Sequence, residues 1–248
     1  MADHQILIVG GGAAGIATAA SLHKRDASLD IAIIERSTTH YYQPGWTMVG
    51  AGVFKKEETA RSTASVMPSY VTHIRGTVAS FQPDENSVKL EDGKALTYGS
   101  LVVAAGLKLD WAAIEGLEEA LGRNGVTSNY RYDLAPYTWE LVQKMRGEKA
   151  IFTQPPMPIK CAGAPQKAMY LSCSTWMQAG KIKDIDVSFC NAGPVLFGCA
   201  DYVPPLMEYV DRYGINLDFG YNLVKVDGPN QIATFKVAKE GEDPRLVE

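Results

Sequence analysis

The stretch His4-Gln5-Ile6-Leu7-Ile8-Val9-Gly10-Gly11-Gly12-Ala13-Ala14-Gly15 decides the fold of this chain. Its first six residues form a short apolar run without polar alternation, which predicts a buried strand. The glycines follow at once with the spacing G-x-G-x-x-G, and residues 16–24 have the apolar spacing of a helix. A second apolar run, residues 30–34, leads to Glu35. This order of strand, glycine turn, helix and strand predicts a dinucleotide-binding βαβ unit.

Each glycine of the motif has its own physical role in such a turn. Gly10 permits the tight turn, Gly12 lets the backbone approach a pyrophosphate, and Gly15 allows the helix to pack closely on the strand. The N–H groups at the start of the helix can bind phosphate oxygens. Glu35 can accept hydrogen bonds from an adenosine ribose, and its charge disfavours a 2′-phosphate. We therefore predict FAD or NAD(H) as the ligand; the alternative is a glycine turn that binds nothing.

The segments that follow favour FAD over NAD. Residues 40–52 form an aromatic and glycine-rich loop that could supply flat apolar walls and close backbone approach for a flavin ring. Residues 101–106 read as a strand that ends in small residues. Between them, residues 77–81, 87–90 and 95–98 predict a β-meander.

The second half of the chain repeats the strand-and-helix pattern. We predict strands at 150–153, 185–189, 215–217 and 222–226, and helices at 164–178 and 203–213. The fold class is therefore α/β, with two Rossmann-like units of the three-layer ββα type, each a parallel sheet with helices plus a small β-meander. The predicted division is a first FAD-binding segment at 1–110, a linker and helix at 111–148, and a degenerate NAD-type domain at 149–248.

The second unit lacks the features that bind NADH, and a cysteine stands in their place. Its first turn holds prolines and Cys161 where a glycine motif is expected, and its second strand ends at Cys190 without an acid. Cys161 precedes the predicted helix N-terminus, beside Lys160 and near Lys167, and both features stabilise a thiolate. The interpretations left open are a reactive thiol and a buried structural cysteine.

The composition argues against several classes of function. The chain has 248 residues, 46% of them apolar, and a net charge of −4 without a basic run, so we predict no nucleic-acid partner. No apolar run approaches the roughly 18 residues of a membrane span, and no secretory signal is visible. Four cysteines without a Cys-x-x-Cys pair and four scattered histidines predict neither a disulfide framework nor a metal site, and a reducing compartment is expected.

These motifs together resemble the sulfide:quinone oxidoreductase family, in particular the type that includes the mitochondrial enzyme and its bacterial relatives. The most specific motif is Ile159-Lys160-Cys161-Ala162-Gly163-Ala164-Pro165-Gln166-Lys167, supported by the N-terminal glycines and the loop at 40–52. The resemblance implies a two-dinucleotide-fold flavoprotein in which sulfide sulfur is captured as a persulfide on Cys161. It implies further that two electrons pass to FAD and on to quinone, and that the sulfur leaves to a small-molecule acceptor.

The resemblance also completes the set of predicted cofactor-binding residues. By their positions in the family motifs, Ala13, Ala14, Glu35, Gln43 and Val78 match residues that contact FAD. The predicted cofactor set is Gly10, Gly12, Ala13, Ala14, Gly15, Glu35, Gln43, Pro44, Val78, Ala105 and Gly106, with Cys161 as the catalytic residue and no metal ligand.

The family pattern continues beyond Glu248, with a second redox cysteine and a region that docks on the membrane and binds quinone. We therefore expect a truncated chain, with peripheral contact to the cytoplasmic or mitochondrial inner membrane made through regions absent from it, and a homo-oligomer as a further partner to consider. Two alternatives stay open: an NADH-dependent flavoprotein reductase of the same fold, and a catalytically incomplete nucleotide-binding fragment.

Overall fold

The computed structural model describes residues 2–238, 241 and 243–248. The strands are β1 (His4–Val9), β2 (Ile31–Glu35), β3 (Thr39–Tyr41), β4 (Ala60–Ser62), β5 (Val71–Arg75), β6 (Val78–Gln82), β7 (Ser87–Leu90), β8 (Ala95–Val103), β9 (Lys149–Gln154), β10 (Asp186–Asn191), β11 (Asn216–Phe219), β12 (Tyr221–Asp227), β13 (Ile232–Val237) and β14 (Arg245–Val247). The α-helices are α1 (Ala13–Arg25), α2 (Gly45–Gly50), α3 (Thr63–Val66), α4 (Leu117–Ala120), α5 (Ala135–Lys144), α6 (Gly163–Gln178) and α7 (Val203–Tyr213).

The chain forms two compact units. The first holds the residues up to Tyr42 together with Glu57–Leu109, and the second holds Gln43–Lys56 together with Asp110–Glu248. Residues 111–148, predicted as a linker and helix, contribute α4 and α5 to the second unit. The predicted α/β class is confirmed.

The first unit is built on one six-stranded sheet with the strand order β5-β2-β1-β8-β7-β6. The first four strands of that order are parallel, and the meander strands β7 and β6 extend the sheet in antiparallel pairing. Alternate residues of β1 enter different apolar clusters, since Leu7 packs with β7 and β8 residues while Ile8 packs with Ala19 of α1. A central strand covered on both faces needs the continuous apolar run that the sequence has.

One prediction about this sheet was wrong in detail. The runs at 95–98 and 101–106 were expected as two strands, but β8 is continuous from Ala95 to Val103. Its first residues pair antiparallel with β7, and the remainder pairs parallel with β1. Gly99 lies between the two parts, and a Cβ there would approach Gln5 O to 2.8 Å, so glycine permits the strand to continue against β1.

The second unit contains a three-stranded parallel sheet with the order β11-β10-β9 and a separate antiparallel sheet, β12-β13-β14. Its main core surrounds β10, where Phe189 is fully buried, and includes Met169 and Trp176 of α6. The strand predicted at 222–226 is β12, which lies in the antiparallel sheet. Gly220, with φ of +76°, separates β11 from β12 and allows the chain to change direction there.

A smaller difference concerns the second strand of this unit. It was expected to begin at residue 185 and to end at Cys190, and β10 runs from Asp186 to Asn191. Continued pairing with β9 through Gln154 and with β11 through Phe219 keeps these last residues in the sheet.

Candidate functional site

The glycine turn of the first unit has the geometry that its motif predicts. Gly10 has φ of +105°, and a Cβ there would lie 2.3 Å from Ala104 O. A Cβ at Gly15 would lie 1.9 Å from Gly10 O, so any side chain would push α1 away from the turn. At Gly12, in contrast, no atom of the described residues lies within 4 Å of such a Cβ. The turn is thus closed by backbone contacts at two glycines and open at the third.

The N-terminus of α1 next to this open position can receive an anion. Gly12 is the N-cap, the described residues provide no side-chain cap, and the first turn contains no acidic residue. Ile16 N donates to Gly12 O, which leaves the N–H groups of Ala13 and Ala14 at the helix start without a helical acceptor. Phosphate oxygens are suitable acceptors for such groups.

Glu35 is fixed at the end of β2 by backbone donors. Its Oε2 accepts a hydrogen bond from Gly11 N and its Oε1 accepts one from Ser37 N, each at 2.7 Å. A carboxylate has about four acceptor positions, so both oxygens keep capacity for ribose hydroxyls. His40 Nδ1 lies 3.3 Å from Gly11 O, a contact that the sequence did not predict because no motif links the two residues.

The remaining predicted residues of the first unit differ in their relation to the turn. The Cα of Ala105 would lie 2.9 Å from a Cβ at Gly10, so this residue borders the turn directly. Gly106 follows with φ of +76° and open space around it among the described residues. Val78 begins β6, pairs with Leu90 and packs against the cluster that contains it. Its contacts with Leu90 therefore lie in the sheet core, and its role in cofactor binding rests on the family resemblance.

We expect Glu35→Gln to lower the free energy of unfolding by about 1–2 kcal/mol, because the amide NH₂ cannot accept from one of the two backbone N–H groups. Urea unfolding followed by circular dichroism measures the loss. Glu91→Gln, at an exposed position of the same unit, is the matched control and should stay within about 0.5 kcal/mol of the parent. Equal stability of all three proteins would contradict a structural role for the Glu35 carboxylate.

In the second unit, Gln43 and Pro44 lie at the start of α2. Pro44 is the N-cap of that helix, which contacts both α5 and α6. The side chain of Gln43 accepts, through Oε1, a hydrogen bond from Lys160 Nζ. The structure thus brings one predicted cofactor residue together with the residue that precedes Cys161.

Cys161 lies where the sequence predicts it, just before the first turn of α6. Helix α6 begins at Gly163, its N-cap is Ala162, and Pro165 occupies the first turn, where its missing N–H has no cost. A Cβ at Gly163 would lie 4.0 Å from Cys161 Sγ and 3.9 Å from Lys167 Cε. The half-buried thiol and the Lys167 side chain therefore lie beside the same turn.

Tyr130 is a neighbour of this thiol that the sequence did not predict. Lys160 Nζ lies 5.7 Å from the centroid of the Tyr130 ring. Burial raises the pKa of Tyr130, and the negative charge of Cys161 raises it further, which keeps the phenol protonated. The segment at 128–132 carries no motif or periodicity that could have indicated this placement.

The carboxyl edge of the second parallel sheet is occupied by amide side chains. Gln154 Nε2 donates to Asn191 Oδ1 at 3.2 Å, and Asn191 Nδ2 donates to Val195 O at 2.9 Å. Gln166 Nε2 donates to Leu196 O at 2.7 Å. Nucleotides bind at this edge in doubly wound folds, where an acid usually holds the ribose. Asn191 instead binds the protein's own backbone, through its bond to Val195 O.

The other three cysteines differ from Cys161 in their surroundings. Burial raises the pKa of Cys173 to about 12 and that of Cys190 to about 12, so both thiols are neutral near pH 7. Cys173 belongs to the core of the second unit. Cys199 is exposed, and all four thiols are free.

The residues that the structure describes contain no group of three or more His, Cys, Asp or Glu side chains arranged to hold a metal ion. Within the same residues, every helix is too short or too polar to cross a membrane.

Comparison with known proteins identifies the family. Residues 4–141 match the family described as pyridine nucleotide-disulphide oxidoreductase. The chain is 40% identical over 235 residues to the mitochondrial sulfide:quinone oxidoreductase of Dictyostelium discoideum, covering 94% of this chain and 52% of the relative. It is 38% identical to that of Mus musculus, covering 96% of this chain and 53% of the relative.

Solved structures agree on the fold. The sulfide:quinone oxidoreductase of Aquifex aeolicus superposes with a TM-score of 0.79 at 22% identity, over 98% of this chain and 56% of that chain. The resemblance inferred from the Cys161 segment is confirmed, and the chain spans about half the length of the curated relatives it matches. The chain belongs to the pyridine nucleotide-disulphide oxidoreductase family.

Proposed function

We propose that this chain takes part in the oxidation of sulfide, with Cys161 capturing the sulfur as a persulfide and quinone receiving the electrons. The observation that carries the proposal is the position of Cys161. It replaces the glycine turn of a second dinucleotide-type unit, at the uncapped N-terminus of α6, with Lys160 and Lys167 nearby. Relatives named sulfide:quinone oxidoreductase match this chain over nearly its whole length.

The proposed step can be written with its atoms and electrons. The Cys161 thiol and hydrosulfide form an S–S bond, and the persulfide anion results. Both S–H bonds break, which releases two protons and two electrons, and reduction of a quinone to a quinol consumes both. A small-molecule acceptor then removes the outer sulfur and restores the thiol.

FAD is the proposed carrier of the electrons, because it can take two electrons from sulfur chemistry and pass them to a quinone. The open space at Gly12, the free helix N–H groups of Ala13 and Ala14, and the acceptor capacity of Glu35 fit an adenine dinucleotide. Gly10, Gly15, Ala105 and Gly106 would shape the turn around it. Gln43, Pro44 and Val78 are proposed as contacts on the family resemblance.

The proposal extends to partners and location. Quinones reside in membranes, so we propose that the protein acts at the surface of the cytoplasmic or mitochondrial inner membrane, as a peripheral protein. The relatives from Dictyostelium discoideum and Mus musculus are both named as mitochondrial. A homo-oligomer is a further proposed assembly.

We expect Cys161→Ser to slow reduction of bound flavin by sulfide at least about a hundredfold while leaving FAD content unchanged, because serine cannot form a persulfide. The measurement is anaerobic addition of sulfide to the FAD-loaded protein, followed by flavin absorbance. Cys199→Ser, at an exposed position, is the matched control and should behave as the parent.

Three outcomes would contradict the proposal. Equal reduction rates in Cys161→Ser and the parent would remove Cys161 from the reaction. Reduction by NADH but not by sulfide would favour a pyridine-nucleotide reductase of the same fold. A protein that gains no flavin on soaking with FAD would instead favour a folded unit without redox activity of its own.

A further inference from the structure

Three side chains of the second unit meet immediately before Cys161. Lys160 Nζ donates a hydrogen bond to Gln43 Oε1 and lies 5.7 Å from the centroid of the Tyr130 ring. We call these three residues the Lys160 clamp. An amide oxygen and an aromatic face both attract a cation, but neither carries a negative charge. The clamp therefore orients the ammonium without neutralising it.

Other lysines of this chain are held differently. Salt bridges join lysine to a carboxylate at three positions, Lys144 with Glu140, Lys149 with Asp186, and Lys225 with Glu115. Within the residues that the structure describes, no salt bridge includes Lys160 or Lys167, although both are exposed. The charge beside Cys161 is thus available to an anion from solvent.

Helix α2 places both partners of the ammonium. Gln43 directly precedes the N-cap of this helix. At its other end, a Cβ on Gly50 would lie 2.4 Å from Asn129 Oδ1, so Asn129 packs closely on the helix end. Tyr130 follows Asn129, and its backbone N–H donates to Ser128 Oγ at 3.1 Å. Gln43 and the segment 128–130 are far apart in sequence, and contacts with α2 position both of them next to Lys160.

The thiol lies within electrostatic reach of the clamp. Lys160 directly precedes Cys161 in the chain, and the charge of Cys161 raises the pKa of Tyr130 beyond the effect of burial. Lys167 approaches the thiol from α6, beside Gly163. Two lysines and one neutral phenol are thus associated with the Cys161 thiol.

We propose that Gln43 and Tyr130 are positioning residues that hold the Lys160 ammonium beside Cys161, so that the thiol selects anionic sulfur species, hydrosulfide above all. This inference rests on the proposed role of Cys161 as the sulfur acceptor. It explains how the site would select its substrate, because the positive charge of Lys160 is held next to a half-buried thiol.

The test compares two alkylating reagents of similar size on the full chain. Iodoacetate is an anion and iodoacetamide is neutral; with both, the S–C bond forms as the C–I bond breaks and iodide leaves. The rates at Cys161 are measured by mass spectrometry of the peptide that contains it. Their ratio is independent of the thiolate fraction, because that fraction scales both rates equally. A purely structural change at the site would also leave the ratio unchanged.

We expect Lys160→Gln to lower the ratio of iodoacetate to iodoacetamide rates about threefold, the order of magnitude expected of one nearby charge acting through water. Lys160→Arg should restore it. Gln43→Leu and Tyr130→Leu should lower it in part, whereas Tyr130→Phe should retain it because the aromatic face remains. In about 1 M salt, where screening acts over about 3 Å, the parent ratio should fall at least as far as that of Lys160→Gln, because the charge of Lys167 is screened as well.

Two controls belong to the same experiment. Cys199, the exposed thiol of the same chain, should keep one ratio in all variants. Lys183→Gln removes an exposed lysine that follows the far end of α6, and it should leave the ratio at Cys161 unchanged.

An unchanged ratio at Cys161 in Lys160→Gln would overturn the clamp, as would an equal fall at Cys199. The proposed function fails by a different result, namely sulfide-driven flavin reduction that persists in Cys161→Ser. If the alkylation ratio changes in Lys160→Gln but sulfide still reduces the flavin in Cys161→Ser, the clamp is retained as a feature of the thiol's surroundings. Hydrosulfide is then not the species that Cys161 accepts.

Discussion

Gly15→Ala should lower the free energy of unfolding by about 3 kcal/mol. In an open helix the same substitution would stabilise by about 1 kcal/mol, because alanine favours helix over glycine. Here the added Cβ would lie 1.9 Å from Gly10 O, and a backbone oxygen cannot move aside without opening the turn. The sign of the change therefore reports whether α1 packs on the turn as closely as the structure has it. Urea unfolding followed by circular dichroism provides the measurement.

Gly12→Ala is the matched control three residues earlier. Its Cβ meets no described atom within 4 Å, and φ is −74°, so alanine fits the backbone. The loss of a favourable N-cap residue should cost less than about 1 kcal/mol. If a pyrophosphate approaches this position as proposed, Gly12→Ala should also weaken FAD retention although the protein stays folded. Equal stability of the two variants, or greater stability of Gly15→Ala than of the parent, would contradict the packing argument.

Trp176→Ala should lower the free energy of unfolding by about 4 kcal/mol. Trp176 is 2% exposed, and its ring lies 6.4 Å from that of Phe152 in a tilted arrangement. Its Nε1 also donates to Val142 O at 2.9 Å, which satisfies one of the last carbonyls of α5. The residue thus joins α5, α6 and β9 in one core, and its removal leaves both a cavity and an unpaired carbonyl.

Two further variants separate these contributions. Trp176→Phe keeps most of the packing and removes only the donor, so a loss of about 2 kcal/mol is expected. Met177→Ala, the next residue along α6 and 37% exposed, should cost less than about 1 kcal/mol. Unfolding is followed by circular dichroism, since the substitutions alter fluorescence directly. A loss in Met177→Ala as large as that in Trp176→Ala would show that the helix, rather than its buried face, limits stability.

Much of the first unit could be predicted from local sequence. The order of β1, glycine turn, α1 and β2 follows from residues that are neighbours in the chain, and Gly10 and Gly15 are required for reasons visible in their spacing. The meander was predicted as well. The sequence did not reveal that its last strand continues to Val103 and pairs there with β1. A run such as 95–103 can pair on either edge, and only the finished sheet determines which partners it has.

In the second unit, local sequence predicts less, because several contacts join distant segments. The sequence located Cys161 before the start of α6, because proline and helix signals are local. It did not place the strand at 222–226 in its antiparallel sheet, because the sequence of a strand does not specify which strands pair with it. It also gave no indication that Asn191 would bind Val195 O, because an amide side chain can bind many groups.

By itself, the sequence determined that the chain holds two nucleotide-type units, one with its glycine turn intact and one with a cysteine in that place. Local chemistry decides such features, since turn glycines and helix starts depend on residues a few positions apart. The tertiary structure alone decided that Gln43 meets Lys160 across 117 positions and that Tyr130 joins them. Contacts of this kind depend on how α2 packs in the second unit. Packing between distant segments produces no periodic pattern in the sequence.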